Sequence, residues 1–335
     1  MKIGMAGCRR MGVWPALVLS AGLVGALPGE GWGAATVLRL GHVGFPDSLL
    51  NLAAEEYARR VNEALKGRVE IKVFHSSQLG TDEAMIKAIR VGGIEMFQPS
   101  TIMSTVEPRF GAFEMPYLIV SRAHMKKVAE DPRVKEALLS PLPAKGIRLL
   151  GFWENGFRHI TNNVRPVNRP EDLKGIKLRV PSGVWRVKMF RAYGANPTPL
   201  AFAEVFSALQ SGVMDGQENP FPQIWSGKFQ EAQKFLSLSG HVYTPAYPAI
   251  SENVWKSLPA DVRQTLERIA VEVGDVARRE GERLDRELLE KLGAKMKVNE
   301  VDKEAFIKAS GSIYEEFGKE VSGSADLIRH IQSLR

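Results

Sequence analysis

Strand-like and helix-like segments alternate along the first part of the chain, and this order limits the folds available to it. Residues 37–44 and 69–74 alternate apolar and polar side chains, and residues 94–98 are predicted to form a third strand. Residues 48–65 and 81–91 between them have helical spacing. Strands separated by helices pair in parallel through right-handed crossovers. The sequence therefore predicts an α/β fold with parallel strands.

A second α/β set begins near Phe157. Residues 158–162 and 176–180 are predicted to be strands, and residues 185–193 and 203–210 are predicted to be helices. Two such sets predict two lobes. A cleft between the lobes would be the expected place for a ligand, because binding sites favour such boundaries.

A long amphipathic helix is predicted near the C-terminal end. Pro259 suits a helix start, and after it apolar residues recur at three- or four-residue steps over roughly 30 residues. The opposite face is rich in Arg and Glu. On this pattern alone, a plain packing helix is an adequate interpretation.

The first 35 residues are predicted to be a cleaved signal peptide. Basic residues at positions 2, 9 and 10 precede the apolar stretch 13–27, which is short for a bilayer span but typical of a signal. Small residues at 33–35 suit cleavage before Thr36. The only cysteine, Cys8, lies in this segment, so we expect no disulfide and no thiolate metal site in the mature chain.

The charge pattern gives little support to nucleic-acid binding. The net charge is +7, and the basic residues are scattered among acidic ones without a run that includes aromatic residues. Such an excess can steer anions towards the protein, although an ordinary solvated surface explains it equally well.

The sequence contains no His-Glu-x-x-His, no Gly-x-Ser-x-Gly and no complete phosphate-loop motif. Gly151–Gly156 has the glycine spacing of a phosphate loop, but Phe157 and Arg158 replace the required Lys-Ser/Thr pair. We expect neither an enzyme nor a cofactor or metal.

Six segments together resemble one known family, the substrate-binding proteins of tripartite ATP-independent periplasmic (TRAP) transporters, in the C4-dicarboxylate-binding-like group. They are FHSSQLGTDEAMIKAI (74–89), FEMPYLI (113–119), GFWENGFRHIT (151–161), DLKGIKLRVP (172–181), PLAFAEVFSALQSGVMDGQENP (199–220) and KFQEAQKFLSLSGHVYTP (228–245). Each segment alone is weak, but six in this order are specific. They cover most of the chain after Val37.

The resemblance implies a two-lobed periplasmic binding protein fold, with a ligand cleft between the lobes and a long C-terminal helix spanning them. The predicted lobes are residues 36–156 plus 245–284, and residues 157–244 plus 285–335. The resemblance also implies a periplasmic protein that binds a small organic acid, and a monomer is the default expectation. The acid would pass to a small and a large integral membrane subunit, driven by an ion gradient. A ligand-presenting sensory module for a membrane receptor is the alternative.

Two arginines are the leading candidates for binding the acid. The guanidinium of Arg179 offers a rigid fork that matches a carboxylate, although a surface ion pair would use the same residue type. The resemblance makes Arg179 the clamp on the substrate carboxylate and Arg158 the second arginine of the pocket. Two arginines suit a C4-dicarboxylate, a sugar acid or a keto acid, and the sequence does not choose between them.

Further candidates come from both predicted lobes. By resemblance, the Asn219 amide would read a ligand oxygen, and Phe202 would stack on the carbon skeleton of the ligand. Ser100 and Asp82 are candidates from the first lobe. Trp153, Trp185 and Trp225 are further candidates for the pocket wall, although tryptophan is as often a core residue.

Overall fold

Two β-sheets organise residues 35–335, the part of the chain that the computed structural model describes. Residues 1–34, and with them nearly all of the predicted signal peptide, lie outside the described residues. The first sheet has the strand order β2-β1-β3-β10-β4 and the second β11-β9-β5-β8-β6-β7. The strands are β1 (Thr36–Gly41), β2 (Val69–Phe74), β3 (Met96–Phe97), β4 (Ile147–Leu149), β5 (Trp153–Asn162), β6 (Lys177–Val180), β7 (Asn196–Pro199), β8 (Gly216–Asn219), β9 (Phe235–Ala246), β10 (Ala249–Ser251) and β11 (Lys297–Glu300).

Helices cover these sheets and connect their strands. The α-helices are α1 (Leu49–Ala64), α2 (Asp82–Val91), α3 (Arg122–Glu130), α4 (Pro132–Leu139), α5 (Val184–Ala192), α6 (Val205–Gln210), α7 (Phe221–Ser226), α8 (Glu252–Ser257), α9 (Ala260–Gly293), α10 (Lys303–Ala309), α11 (Gly311–Glu320) and α12 (Ser324–Ser333). Short 3₁₀ turns lie at Thr101–Thr105, Pro108–Glu114, Pro143–Lys145, Pro170–Leu173, Phe202–Glu204 and Phe229–Glu231. In the described part of the chain, no helix is both long and apolar enough to span a membrane.

The first sheet contains the predicted parallel core. β1 pairs in parallel with both β2 and β3. Each intervening helix begins after a capping side chain. The Ser48 hydroxyl accepts from Asn51 N before α1, and the Thr81 hydroxyl accepts from Ala84 N before α2. The strand predicted over residues 94–98 is shorter, because only Met96–Phe97 are paired. β10 also joins this sheet, antiparallel to β3 and β4.

The second sheet brings the two candidate arginines next to the same strand. β8 pairs antiparallel with β5, which carries Arg158, and parallel with β6, which carries Arg179. β5 begins at Trp153, earlier than the predicted 158, and its pairing with β9 is irregular between Arg158 and Ile160. Such irregularities bend a strand and redirect its side chains. β8 therefore lies between both arginines.

The long helix α9 packs against two separate apolar cores, as the predicted spanning helix requires. Val262, Leu266 and Val273 pack in the core that contains β1 and α1. Leu284, Leu288 and Leu292 pack in another core, which contains Phe202 and α6. The predicted helix is confirmed, with Pro259 immediately before its first residue. The boundaries of the two lobes stay a prediction.

Replacing Gly281 with alanine is expected to lower the free energy of unfolding by about 1–3 kcal/mol, the usual cost of overpacking. An added Cβ would collide with the carboxylate of Glu154, which is buried and bonded to Arg122. Urea unfolding followed by circular dichroism measures the change. Gly293→Ala in the same helix is the matched control, because the nearest atom to its added Cβ is Val298 Cγ2 at 3.8 Å. Equal stability of both variants would contradict the expected collision.

Candidate functional site

A small cavity lies where the two sheets meet, and all six predicted site residues line it. These residues are Asp82, Ser100, Arg158, Arg179, Phe202 and Asn219. Its volume is about 40 Å³, which is room for only a few water molecules. The structure thus brings the candidates together, while their contact with a ligand stays a prediction. This cavity is called the cleft cavity below.

Arg179 is a buried cation without a carboxylate bonded to it. Its side chain is 3% exposed, and Nε and Nη2 donate to the carbonyl of Leu200 at 2.9 and 2.6 Å. Nη1 donates to no residue in 35–335. Burial, together with the charge of Arg158, lowers the pKa of Arg179 to about 10. The guanidinium stays charged at neutral pH, so an anion in the cavity would supply the missing partner.

Phe202 supports this arginine from the side. The Arg179 guanidinium carbon lies 5.9 Å from the ring centroid, a cation–π distance. Phe45, which follows β1, packs against Phe202 at 5.5 Å between centroids. The ring therefore fixes the arginine and forms part of the cavity wall, whereas stacking on a ligand remains a prediction.

Arg158 is held by Glu218 in a buried ionic cluster. Nε donates to Glu218 Oε2 at 2.5 Å and Nη2 to Oε1 at 2.9 Å. Arg186 Nη1 donates to the same carboxylate at 2.7 Å. Burial disfavours the charged carboxylate, but the two guanidinium charges prevail and hold the pKa of Glu218 well below its usual range. One carboxylate thus faces two cations, and Arg158 keeps Nη1 for another acceptor.

His241 completes the cluster as a neutral ring. Burial lowers the pKa of His241 to about 4, despite the opposing effect of Glu218. Nε2 lies 3.1 Å from Glu218 Oε2, and Nδ1 lies 2.8 Å from the Ser239 hydroxyl. A neutral ring must therefore donate from Nε2 to the carboxylate and accept from the serine at Nδ1. This bond helps to fix the position of Glu218, and through it the position of Arg158.

Asn219 is oriented by a chain of amides. Its Nδ2 donates to Gln217 Oε1 at 2.5 Å, and Gln217 Nε2 donates to the Thr161 hydroxyl at 2.9 Å. The side-chain oxygen of Asn219, Oδ1, can still accept a hydrogen bond from a group in the cavity, which Asn219 lines. An acceptor there suits a hydroxyl donor on a ligand.

The rest of the cavity lining is also polar and includes residues that were not predicted from the sequence. The Ser100 hydroxyl donates to Pro245 O and accepts from Asn155, whose Oδ1 accepts from Gln223 Nε2 at 3.1 Å. Gln223 Oε1 is buried with no partner in the described chain, and so are both polar atoms of Gln98. Gln98 follows β3 directly, and the carboxyl ends of parallel strands are where ligand groups gather. The position of Gln98 directly after β3 was therefore the sequence feature that could have identified it as a site residue.

Asp82 adds a carboxyl group to the cavity. Burial, reinforced by the neighbouring Glu83, raises the pKa of Asp82 to about 7, although Arg179 opposes this shift. Glu83 accepts a short hydrogen bond from the Ser182 hydroxyl, which joins α2 to the segment after β6. The cavity therefore contains an acid that is partly protonated near neutral pH.

Trp153, Trp185 and Trp225 do not line the cleft cavity. Trp153 is fully buried, and its indole N–H donates to Ala270 O in α9 at 2.8 Å. Trp185 packs edge-on against Phe317. Trp153 and Trp185 are therefore core residues, which was the alternative interpretation of these tryptophans.

Buried guanidinium donors and side-chain amides that line one small cavity are typical of a binding protein for a small organic anion. Comparison with known proteins agrees. A family model, bacterial extracellular solute-binding protein family 7, matches residues 40–320. The chain belongs to this family of TRAP solute-binding proteins, which are not enzymes.

Relatives of known name cover nearly the whole chain. The 2,3-diketo-L-gulonate-binding periplasmic protein YiaO of Escherichia coli is 33% identical over 307 residues, 90% of this chain and 93% of that protein. A TRAP periplasmic solute-binding protein of a Polaromonas species, solved with D-erythronate, is 34% identical with a TM-score of 0.84, covering 89% of this chain and 98% of that chain. One from Sulfurospirillum deleyianum, solved with succinate, is 32% identical with a TM-score of 0.84, covering 90% and 100%. The periplasmic binding protein fold is thereby confirmed.

Proposed function

We propose that this protein captures a small organic acid in the cleft cavity and delivers it to a TRAP transporter. One observation carries the proposal: Arg179 is buried and charged, and no carboxylate in the described chain bonds to it. Arg158 adds a free Nη1 beside it. The similar proteins solved with D-erythronate and succinate support an organic acid as the ligand.

The small cavity favours binding by hinge closure. A volume of about 40 Å³ is too small for an organic acid, so the walls must separate to admit one. The Glu83–Ser182 hydrogen bond would open with them, because it joins the two walls. A ligand that contacts both walls stabilises the closed form and shifts the population towards it.

Membership of the family supports the proposed transport partners and location. In this proposal the loaded monomer works in the periplasm, after its signal peptide is removed. It docks on a small and a large integral membrane subunit, and an ion gradient drives transport. Within this scheme, residues 36–156 plus 245–284 form one lobe, and residues 157–244 plus 285–335 form the other.

The chemistry of the cavity favours a hydroxylated acid with one carboxylate. Arg179 and Arg158 both line the cavity, and together they suit a single carboxylate. The rest of the lining offers Asp82 and the amide groups of Gln98, Gln223 and Asn219. Amides and a carboxylate pair well with hydroxyl groups, whereas a second ligand carboxylate would face the acid Asp82. Short sugar acids and related hydroxy acids fit this arrangement.

A thermal-shift panel tests the proposed function. Ala34–Arg335 form one compact unit, so protein beginning at Thr36 is suitable. Hydroxy acids such as D-erythronate are expected to raise the melting temperature, because a ligand that binds only the folded state stabilises it. The panel includes succinate, keto acids and amino acids for comparison. No shift with any organic acid would contradict the proposal.

The pH dependence of affinity tests the role of Asp82. A ligand hydroxyl that donates to Asp82 binds its ionised form, so the affinity for D-erythronate should rise from pH 6 to pH 8. The rise is at most about tenfold per pH unit below a pKa of about 7. A dicarboxylate would need Asp82 protonated, and its affinity should fall over the same interval. Titration calorimetry measures both slopes, and Asp82→Asn should flatten them. A D-erythronate affinity that falls as the pH rises would contradict the assignment.

A further inference from the structure

A second and larger depression lies on the other face of the second sheet. Neighbouring residues of a strand point to opposite faces, so Arg158 faces the cleft cavity while Phe157 and His159 line this depression. We call it the rear groove, and its main lining residues are Tyr117, Phe157, His159, Lys303, Ile307 and Tyr314. Its volume is about 710 Å³, within the usual range for small-molecule sites.

Three aromatic rings form walls whose positions are fixed by the surrounding structure. The Tyr117 hydroxyl donates to Ser239 O at 3.2 Å, and the Tyr314 hydroxyl donates to Pro116 O at 2.7 Å. Phe157 packs on Tyr243 with 5.0 Å between ring centroids. Tyr117 also has φ of 57°, a backbone conformation that is uncommon for an aromatic residue and often found at functional sites. The hydroxyls are thus engaged with the backbone, and the rings present apolar surface to the groove.

The rim of the groove exposes aliphatic side chains to solvent. Ile307 is 53% exposed and Val120 is 51% exposed, and both line the groove. Exposed apolar surface beside a preformed aromatic depression is typical of a ligand-binding site. The groove therefore favours a ligand with an aromatic or other apolar body.

The polar groups of the groove favour a negative charge on that ligand. Lys303 is exposed and makes no ion pair within residues 35–335. The one acidic lining residue, Asp285, is bonded to Arg122 at 2.6 Å. His159 Nδ1 accepts from Gly240 N at 3.2 Å, so a neutral ring carries its proton on Nε2 as a further donor. Burial, with a smaller effect of His241, lowers the pKa of His159 to about 3 and keeps the ring neutral.

We propose that the rear groove is a second binding site, for an aromatic organic anion whose ring packs among Tyr117, Phe157 and Tyr314 and whose charge pairs with Lys303. The two sites are separated by β5, so both can be occupied at once. This site does not depend on the acid that the cleft cavity binds.

The fluorescent aromatic sulfonate 8-anilinonaphthalene-1-sulfonate is a suitable probe. Its fluorescence is expected to increase on titration into the protein and to saturate at one molecule per chain. Lys303→Glu and Ile307→Ser should each weaken binding at least fivefold, since they remove the cation and part of the apolar rim. Both side chains are solvent-exposed, so the fold should be retained. Lys308→Glu is the matched control, because Lys308 lies on the same helix but not in the groove.

Competition identifies the class of ligand. Indole-3-acetate should displace the probe, whereas tryptamine, which has the same ring with a positive charge, should not. A large excess of D-erythronate should leave the probe bound. Displacement by D-erythronate, equal displacement by indole-3-acetate and tryptamine, or unchanged binding in both groove variants would each overturn the proposal.

Discussion

Replacing Arg179 with alanine is expected to weaken binding of the organic acid by about 2–5 kcal/mol, roughly 30-fold to several thousand-fold. In this variant the ligand carboxylate would remain buried without the donors that Nη1 supplies. Isothermal titration calorimetry with the best acid from the thermal-shift panel measures the loss. Arg179→Met should lose a similar amount of affinity, because methionine carries no charge, although it can still contact Phe202.

A matched control separates the proposed binding role of Arg179 from its hydrogen bonds to the backbone. Arg165 also donates to backbone carbonyls, those of Asp172 and Lys174, but it does not line the cleft cavity. Arg165→Ala should therefore bind the acid with unchanged affinity. Undiminished affinity in a folded Arg179→Ala protein would disprove the clamp.

The ligand-free stability of these variants should behave differently from their affinity. Arg179 is buried without a bonded carboxylate, and replacing a poorly compensated buried charge with an apolar side chain is often neutral or stabilising. We therefore expect Arg179→Met to unfold at a urea concentration close to that of the unaltered protein. A loss of affinity with stability retained is what a binding role predicts, and a purely structural role would reduce both.

The local sequence pattern predicted the parallel core because apolar residues recur along its strands and helices with a clear period. It did not predict β10, since three residues are too few to show a period and their partners β3 and β4 are distant in the chain. The strand over residues 94–98 was predicted too long for the same reason. Pairing by distant segments, which no local pattern reports, decides where these strands end.

The site shows the same division between local and non-local information. Arginines and an asparagine within motifs could be predicted, and they line one cavity. Gln223 could not be predicted, because nothing in its local sequence marks this amide as a site residue. Gln98 was missed although it directly follows β3, a position where ligand groups gather. Glu218 lies in the same segment as Asn219, but its bonds to Arg158 in β5 and Arg186 in α5 are contacts that the local sequence does not report.

Replacing Glu218 with glutamine is expected to lower the free energy of unfolding by about 3–5 kcal/mol, the usual cost of removing one partner from a buried ion pair. The carboxylate is fully buried and bonds to Arg158, Arg186 and His241. Glutamine has a similar shape but no charge, so the buried guanidiniums of Arg158 and Arg186 would lose the carboxylate to which both are bonded. Urea unfolding without ligand measures the loss.

Glu287→Gln tests whether burial, and not the number of ion pairs, causes this loss. Glu287 also bridges two cations, Arg283 and Lys291, but it lies on the solvent-exposed face of α9. Water screens such pairs, so its replacement should leave stability almost unchanged. Equal losses in the two variants would mean that burial does not set the strength of the Glu218 cluster. A large loss confined to Glu218→Gln would show that Arg158 depends on this carboxylate, and that the second arginine of the cleft is positioned before any ligand arrives.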